Sequence, residues 1–378
     1  GAGGADHLEE ARRRAELLRH RGPDDAASYA AERAALAHRR LSIIDVGGGR
    51  QPLSNEDGTA SLVCNGEIYN FRDLRSRLEG AHDFATGSDS EVVLHLYEEK
   101  GAACVRELDG MFAFVLADGH RFLAARDALG IKPLYMGRDR NGAGLWFASE
   151  LKALPSDCQD VAEFPPGTLM TENGMERWFE PPWLEPASTP DSNDARALCD
   201  ELARAVDKRL MSEVPLGVFL SGGLDSSAIA ALVRRAIPDL HSFTVGIEGS
   251  PDLLAARRAA EHIGTRHHEY VYTRAEAEAA VEVVIEHLES YDADLIESSV
   301  PCYFVSKLAA DHVKVVLSGE GADEVFAGYR YFADIQDPAE LHRECSRLLV
   351  GLHNMNLQRV DRMTMAHGLE GRVPFLDL

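Results

Sequence analysis

Residues 221 to 227 read Ser221-Gly222-Gly223-Leu224-Asp225-Ser226-Ser227, between an apolar run at 216–220 that predicts a strand and a second at 228–233 that predicts a helix. The glycines let backbone N–H groups approach an anion closely, and the first helical turn adds unpaired N–H groups and the positive end of the helix dipole. That is chemistry for a phosphate. The hydroxyls of Ser221, Ser226 and Ser227 add side-chain donors. Asp225 would repel a bare phosphate and makes sense as a Mg²⁺ ligand. The loop holds no lysine, so it is not the G-x-x-x-x-G-K-[ST] kind that grips a β/γ-phosphate pair. A plain helix cap needs one Ser or Asp, whereas this loop has three serines, an aspartate and two glycines.

A second glycine-bearing strand-to-helix loop follows Val315-Val316-Leu317 and reads Ser318-Gly319-Glu320-Gly321-Ala322-Asp323-Glu324. Across the switch point of a parallel sheet two such loops can face each other, so Asp225 and Asp323 could share Mg²⁺ on a leaving pyrophosphate. Glu320 is then free to act as a general base or to orient an amine nucleophile. Taken alone, the second loop also reads as an acidic helix N-terminus. A further set lies upstream: His20-Arg21-Gly22-Pro23-Asp24-Asp25, Arg40-Leu41-Ser42-Ile43-Ile44-Asp45, Asn65-Gly66-Glu67-Ile68-Tyr69-Asn70 and Gly87-Ser88-Asp89. Each alone reads as a turn. Together they supply an arginine for a carboxylate, an aspartate for an ammonium, and Asn65 with Gly66 as oxyanion donors. That inventory suits holding glutamine and cleaving its side-chain amide.

The elements that must position these residues fall into two halves. Asp6 to His20 carries Leu8, Ala11, Ala15 and Leu18 at helical spacing. Short strands follow at Ser61 to Cys64, Met111 to Leu116, Phe122 to Ala125 and Leu145 to Ala148, so residues 1–180 are expected to form an antiparallel, β-rich domain. Glu180 to Asn193 is crowded with proline and turn residues, and 181–195 is expected to be a linker. From 196 to 378 the rhythm alternates. Leu198, Leu202, Val206 and Leu210 mark a helix, strands are expected at His241 to Ile247, His268 to Tyr272 and Val313 to Leu317, and helices near Leu253 to Ile263, Glu276 to Leu288 and Val300 to Ala310. This is the pattern of a parallel-sheet α/β domain whose ligands sit at the carboxyl ends of the strands.

Composition sets outer bounds. A chain of 378 residues can bury two full cores, and its net charge of −23 argues against a polyanionic partner such as nucleic acid. Six scattered cysteines (Cys64, Cys104, Cys158, Cys199, Cys302, Cys345) show no metal-ligand spacing and read as reduced thiols. No apolar stretch approaches the roughly 18 residues of a membrane span, and no signal segment opens the chain, which makes the cytoplasm the default. A homodimer is compatible with the sequence, which does not determine the oligomeric state. His267-His268 looks like a ligand pair, but neighbours in a strand point to opposite faces, so the pair is not expected to hold a metal.

The Ser221 loop resembles the pyrophosphate loop of ATP pyrophosphatases, which split ATP between the α- and β-phosphates. The strings HRGPDD, RLSIID, NGEIYN, GSDSE, DGMFAF, FASELKAL, GVFLSGGLDSS, VLSGEGADE and GLEGRVPFLD sharpen this. From about residue 17 onward the chain resembles glutamine-hydrolysing asparagine synthetases of the bacterial B type. The resemblance implies a two-domain protein of mixed α/β and α+β class. A class II, N-terminal-nucleophile glutaminase domain, an αββα β-sandwich, would be joined through an internal ammonia tunnel to a doubly wound parallel-sheet ATP pyrophosphatase domain. It further implies that Arg40, Asn65, Gly66, Glu67 and Asp89 bind glutamine. Phe219, Ser221, Gly222, Gly223, Ser227, Val245, Gly246, Ser318 and Gly319 would line the ATP site, and Asp225, Ser226, Glu320 and Asp323 would handle pyrophosphate, Mg²⁺ and an acyl-adenylate. The implied reaction activates the β-carboxylate of aspartate with ATP and lets glutamine-derived ammonia displace AMP.

Three features depart from that pattern. The family's nucleophile is a cysteine at the mature N-terminus, whereas this chain begins Gly1-Ala2-Gly3-Gly4 and its first cysteine is Cys64, which has no free α-amine. A missing first strand is the expected reason. The family also continues past the position of Leu378 and contributes a lysine, a role assigned to no residue here. Better-known members place an arginine where this chain has Glu297. A glutamate suits aspartate's carboxylates poorly, which keeps open an amide synthetase acting on another acid, similar to the β-lactam synthetases. A non-catalytic relative that senses nucleotide and glutamine is the remaining alternative.

Overall fold

A computed structural model of the chain describes residues 4–31, 33–140, 144–185 and 194–378. It divides into two compact units, Gly1–Glu180 and Pro181–Leu378. Residues 186–193 of the expected linker lie outside the described residues, and Pro182–Leu184 forms a short helical turn.

The first unit is built on a six-stranded antiparallel sheet with strands in the order Gly174–Arg177, Thr168–Thr171, Arg121–Arg126, Gly110–Asp118, Ala60–Ile68, Leu53–Ser54. The hairpin Asp25–Ala30/Ala35–Arg40 and a three-stranded sheet centred on Tyr135–Arg138 complete its β structure among the described residues. Alternation is weak in the central strands because both of their faces are covered: Phe112 and Phe114 on one face and Met111 and Ala113 on the other are all at most 5% exposed. The helix Glu91–Lys100 packs as a continuous buried run from Glu91 to Leu96. The opening helix, expected to reach His20, stops at Glu16. Residues 17–21 continue as tight turns with i→i−3 bonds, and Gly22 then presses its backbone against the strand Ala35–Arg40, where a Cβ would lie 2.3 Å from the carbonyl carbon of Arg39.

The second unit is a five-stranded, wholly parallel sheet. Its order is Arg266–Val271, His241–Gly246, Leu216–Phe219, Val315–Leu317, Glu370–Arg372. The first strand in sequence is therefore central, with the next two running outward on one side and the last two on the other. Val315, Val316 and Leu317 are fully buried, each contributing about 1.5–3 kcal/mol of apolar burial. The helices Leu224–Ala236, Pro251–Ile263, Arg274–Leu288 and Ala293–Ala310 follow the crossovers anticipated from periodicity. The edge strand Glu370–Arg372 was not anticipated, because Glu370 and Arg372 are charged and find each other (Nε to Oε1, 2.9 Å) while buried. No helix among the described residues is long and apolar enough to cross a membrane.

Candidate active site

The switch point of the parallel sheet lies between Leu216–Phe219 and Val315–Leu317, and the two glycine-bearing loops leave the carboxyl ends of these two strands. Gly222 sits at φ +78°, and a Cβ on it would come within 2.3 Å of the backbone of Ala255, so only glycine lets the turn lie against the helix Pro251–Ile263. The loop is tied internally: Ser221 Oγ lies 3.0 Å from Ser226 Oγ, and the Gly223 N–H donates to Ser221 Oγ at 3.3 Å. Gly319 brings the second loop against the first, since a Cβ there would be 3.1 Å from Ser226 N and 3.2 Å from Asp225 Cβ. Burial, with Asp323 adding its charge, raises the Asp225 pKa. Among the described residues neither carboxylate is paired with a cationic side chain. Two facing, uncompensated carboxylates form a hard-oxygen donor set that fits Mg²⁺.

Around them, Val245 and Gly246 end the neighbouring strand and Phe219 ends the central one. Ser318 is buried, its N–H donating to Arg372 O at 2.9 Å. Glu320 is not free as the sequence suggested. Both its oxygens accept from Arg359 Nη2, each at 2.9 Å, and the Glu320 charge overcomes the opposing effect of burial to raise the Arg359 pKa. Arg359 lies 39 residues downstream on the helix Asn356–Met365, and no local signal marks it. The same helix supplies Asn356, whose Nδ2 donates to the buried Glu324 at 2.8 Å. Burial raises the Glu324 pKa.

In the first unit the upstream strings converge as well. Arg40 is buried, and its Nη2 donates to the carbonyls of Ile44 and Asp45 at 2.8 Å each. That leaves Nε available for a substrate carboxylate. Asp45, which sequence reasoning did not single out, is the node: its Oδ2 accepts from the Gly87 N–H at 2.8 Å and its Oδ1 from the Gly48 N–H at 3.0 Å. Asp89 accepts from the Ile68 N–H at 2.7 Å, joining the Gly87 string to the strand that carries Asn65, Gly66 and the buried Glu67. Gly66 adopts φ +132°, and a Cβ would sit 1.9 Å from Met111 O. No other residue fits there. Asn65 Nδ2 is buried and meets no acceptor, an orphan donor of the kind that awaits a ligand. Glu150, 1% exposed, links two further strings through Arg21 Nη1 at 3.0 Å and His20 Nε2 at 3.1 Å. Cys64 is buried close to Asp89 and Glu67, and burial followed by the charge of Asp89 pushes its thiol pKa up, which holds it in the unreactive thiol form.

Comparison with known proteins decides the relationship. The family profile described as glutamine amidotransferase domain matches residues 2–176, and that described as asparagine synthase matches 197–337 and 333–378. Over 375 residues the chain is 46% identical to an asparagine synthetase [glutamine-hydrolyzing] of Sandersonia aurantiaca, covering 95% of this chain and 71% of that one. The chain belongs to the asparagine synthetase family. It is also 47% identical over 375 residues to asparagine synthetase [glutamine-hydrolyzing] 2 of Arabidopsis thaliana, and spans 64% of that relative's length. Glu297, where the sequence suggested a departure, is exposed on the helix Ala293–Ala310.

Proposed function

We propose that this chain supplies the glutaminase unit and the adenylating site of ATP-dependent asparagine synthesis, acting on glutamine, aspartate and ATP in the cytoplasm. In this reading residues 1–180 release ammonia from glutamine and residues 196–378 activate the aspartate β-carboxylate as an acyl-AMP. The meeting of the Ser221 and Ser318 loops at the switch point, with Asp225 facing Asp323, carries the reading. Ser221, Ser226, Ser227 and the N–H groups of Gly222 and Gly223 would bind the pyrophosphate end of ATP. Asp225 and Asp323 would hold Mg²⁺, which when bound neutralises charge on the leaving pyrophosphate. Arg359 orients Glu320 toward the amine that displaces AMP. Upstream, Arg40 and Asp89 would grip glutamine's carboxylate and ammonium, and Asn65 Nδ2 with the Gly66 N–H would receive the oxyanion formed at its side-chain carbonyl. The family's N-terminal cysteine is the expected nucleophile in the mature protein.

The test is pyrophosphate release by the full-length protein with ATP, Mg²⁺, aspartate and either glutamine or ammonium. Asp323→Asn is expected to raise the Mg²⁺ concentration needed for half-maximal release at least about tenfold. Release with another acid but not aspartate would transfer the reading to a related amide synthetase, for which Glu297 is the motivating residue. No release with any acid would end both.

A further inference from the structure

The amino-terminal edge of the parallel sheet, opposite the nucleotide loops, gathers three histidines from separate elements. His241 opens the strand His241–Gly246, His268 stands in the strand Arg266–Val271, and His312 lies in the turn after the helix Ala293–Ala310. Strand alternation does separate the adjacent pair: His267 turns to the other face, where its Nδ1 lies 2.9 Å from Ser242 Oγ. His268, on the face covered by Ala293–Ala310, meets His241 instead, Nε2 to Nδ1 at 3.0 Å. One ring nitrogen from each of His241, His268 and His312 lies within 4.8 Å of the other two. The His268 and His312 rings are 4.0 Å apart between centroids, and Phe243 stacks on both, at 5.1 and 5.8 Å.

We propose that His241, His268 and His312 form a binding site for one divalent transition metal of the Zn²⁺, Co²⁺ or Cu²⁺ class, remote from the Mg²⁺ carboxylates and independent of the reaction. Three imidazoles from three elements, with an aromatic ring packed against two of them, form a nitrogen donor set that selects these metals over Mg²⁺. Two nitrogens 3.0 Å apart on a metal at roughly 2.05 Å from each subtend roughly 94°, a cis pair formed once the hydrogen bond between the two rings gives way to the metal. His312 is exposed, so it closes the site from the solvent side and leaves room for water on the metal. A bound ion would tie two strands to the turn that feeds the strand Val315–Leu317, which makes its expected role structural.

The experiment uses the full chain, stripped with chelator and kept in excess Mg²⁺ so that the carboxylates at the nucleotide loops are saturated. Co²⁺ and Zn²⁺ titrations followed by visible absorption and calorimetry are expected to show one equivalent bound. Cu²⁺ electron paramagnetic resonance is expected to show nitrogen superhyperfine structure. His268→Ala is expected to abolish this binding and His312→Ala to weaken it at least about tenfold, with pyrophosphate release unchanged. His312 is on an exposed turn, so its replacement keeps the test valid if the His268 variant folds poorly. Absence of binding in excess Mg²⁺ overturns the proposal, and so does binding that survives both replacements, which would place the metal elsewhere, for example at Glu56, His82, His95 and Glu98.

Discussion

Asn65→Ala should separate stability from activity in opposite directions. The Asn65 Nδ2 donor is buried with no acceptor, and an orphaned buried donor costs about 1–3 kcal/mol of folding free energy. Truncation removes that cost and loses only a small side chain, so the variant should be as stable as the parent or more stable by up to about 2 kcal/mol. For a unit of this size, 1 kcal/mol moves Tm by about 2–4 °C. If Nδ2 instead awaits the oxyanion of glutamine hydrolysis, its loss should lower kcat by about 10²–10³, or about 2.7–4 kcal/mol of transition-state stabilisation. KM for glutamine should change little, because the interaction strengthens only as charge develops on the oxygen. The assay is glutamate release from glutamine by the full-length protein, run beside ammonium-dependent pyrophosphate release as an internal control and differential scanning calorimetry of the same samples. The control reaction should be untouched. A fall in kcat of less than about threefold, or a Tm lower by more than about 4 °C, would refute the reasoning, the second because it would make Asn65 an ordinary packing residue.

Two further outcomes are expected. Arg359→Gln should release Glu320 from its two 2.9 Å contacts and slow ammonium-dependent pyrophosphate release by about 10²-fold through misplacement of the carboxylate; Arg359→Lys should recover part of the loss, and equal activity in both variants would leave Arg359 no positioning role. Stability of the second unit should fall as pH drops from about 6.5 to about 4, because burial lowers the His367 pKa to about 4. Its folded pKa lies below the unfolded one, so the unfolded chain binds the extra proton in that window and the stabilisation present above it is lost on acidification. Thermal melts of His367→Phe across that range should be flatter than those of the parent, and identical slopes would assign the acid sensitivity to other groups.

Much of this molecule is written locally. The spacing of apolar residues predicts the alternating strands and helices of the second unit, and the glycine, serine and aspartate content of 221–227 and 318–324 marks both loops as candidate anion or cation sites. Those signals are local because a strand, a turn and a helix N-terminus are specified by neighbours a few residues apart. The upstream strings stand out for the same reason, down to Gly66, where a Cβ would strike the Met111 carbonyl.

What folding alone decides are the pairings between segments far apart in the chain. Glu320 reads as a free carboxylate until packing brings Arg359 onto it, and Asp45 reads as the end of a turn until its carboxylate joins Gly87. Strand alternation already separates the adjacent histidines 267 and 268 in the sequence, but His268 gains His241 and His312 only through strand pairing and a helix crossover. Side-chain chemistry and local backbone preference are properties of the sequence. Which charges meet, which donors are left unsatisfied and which rings converge depend on long-range burial, and that is determined only when the sheets close and their faces are covered.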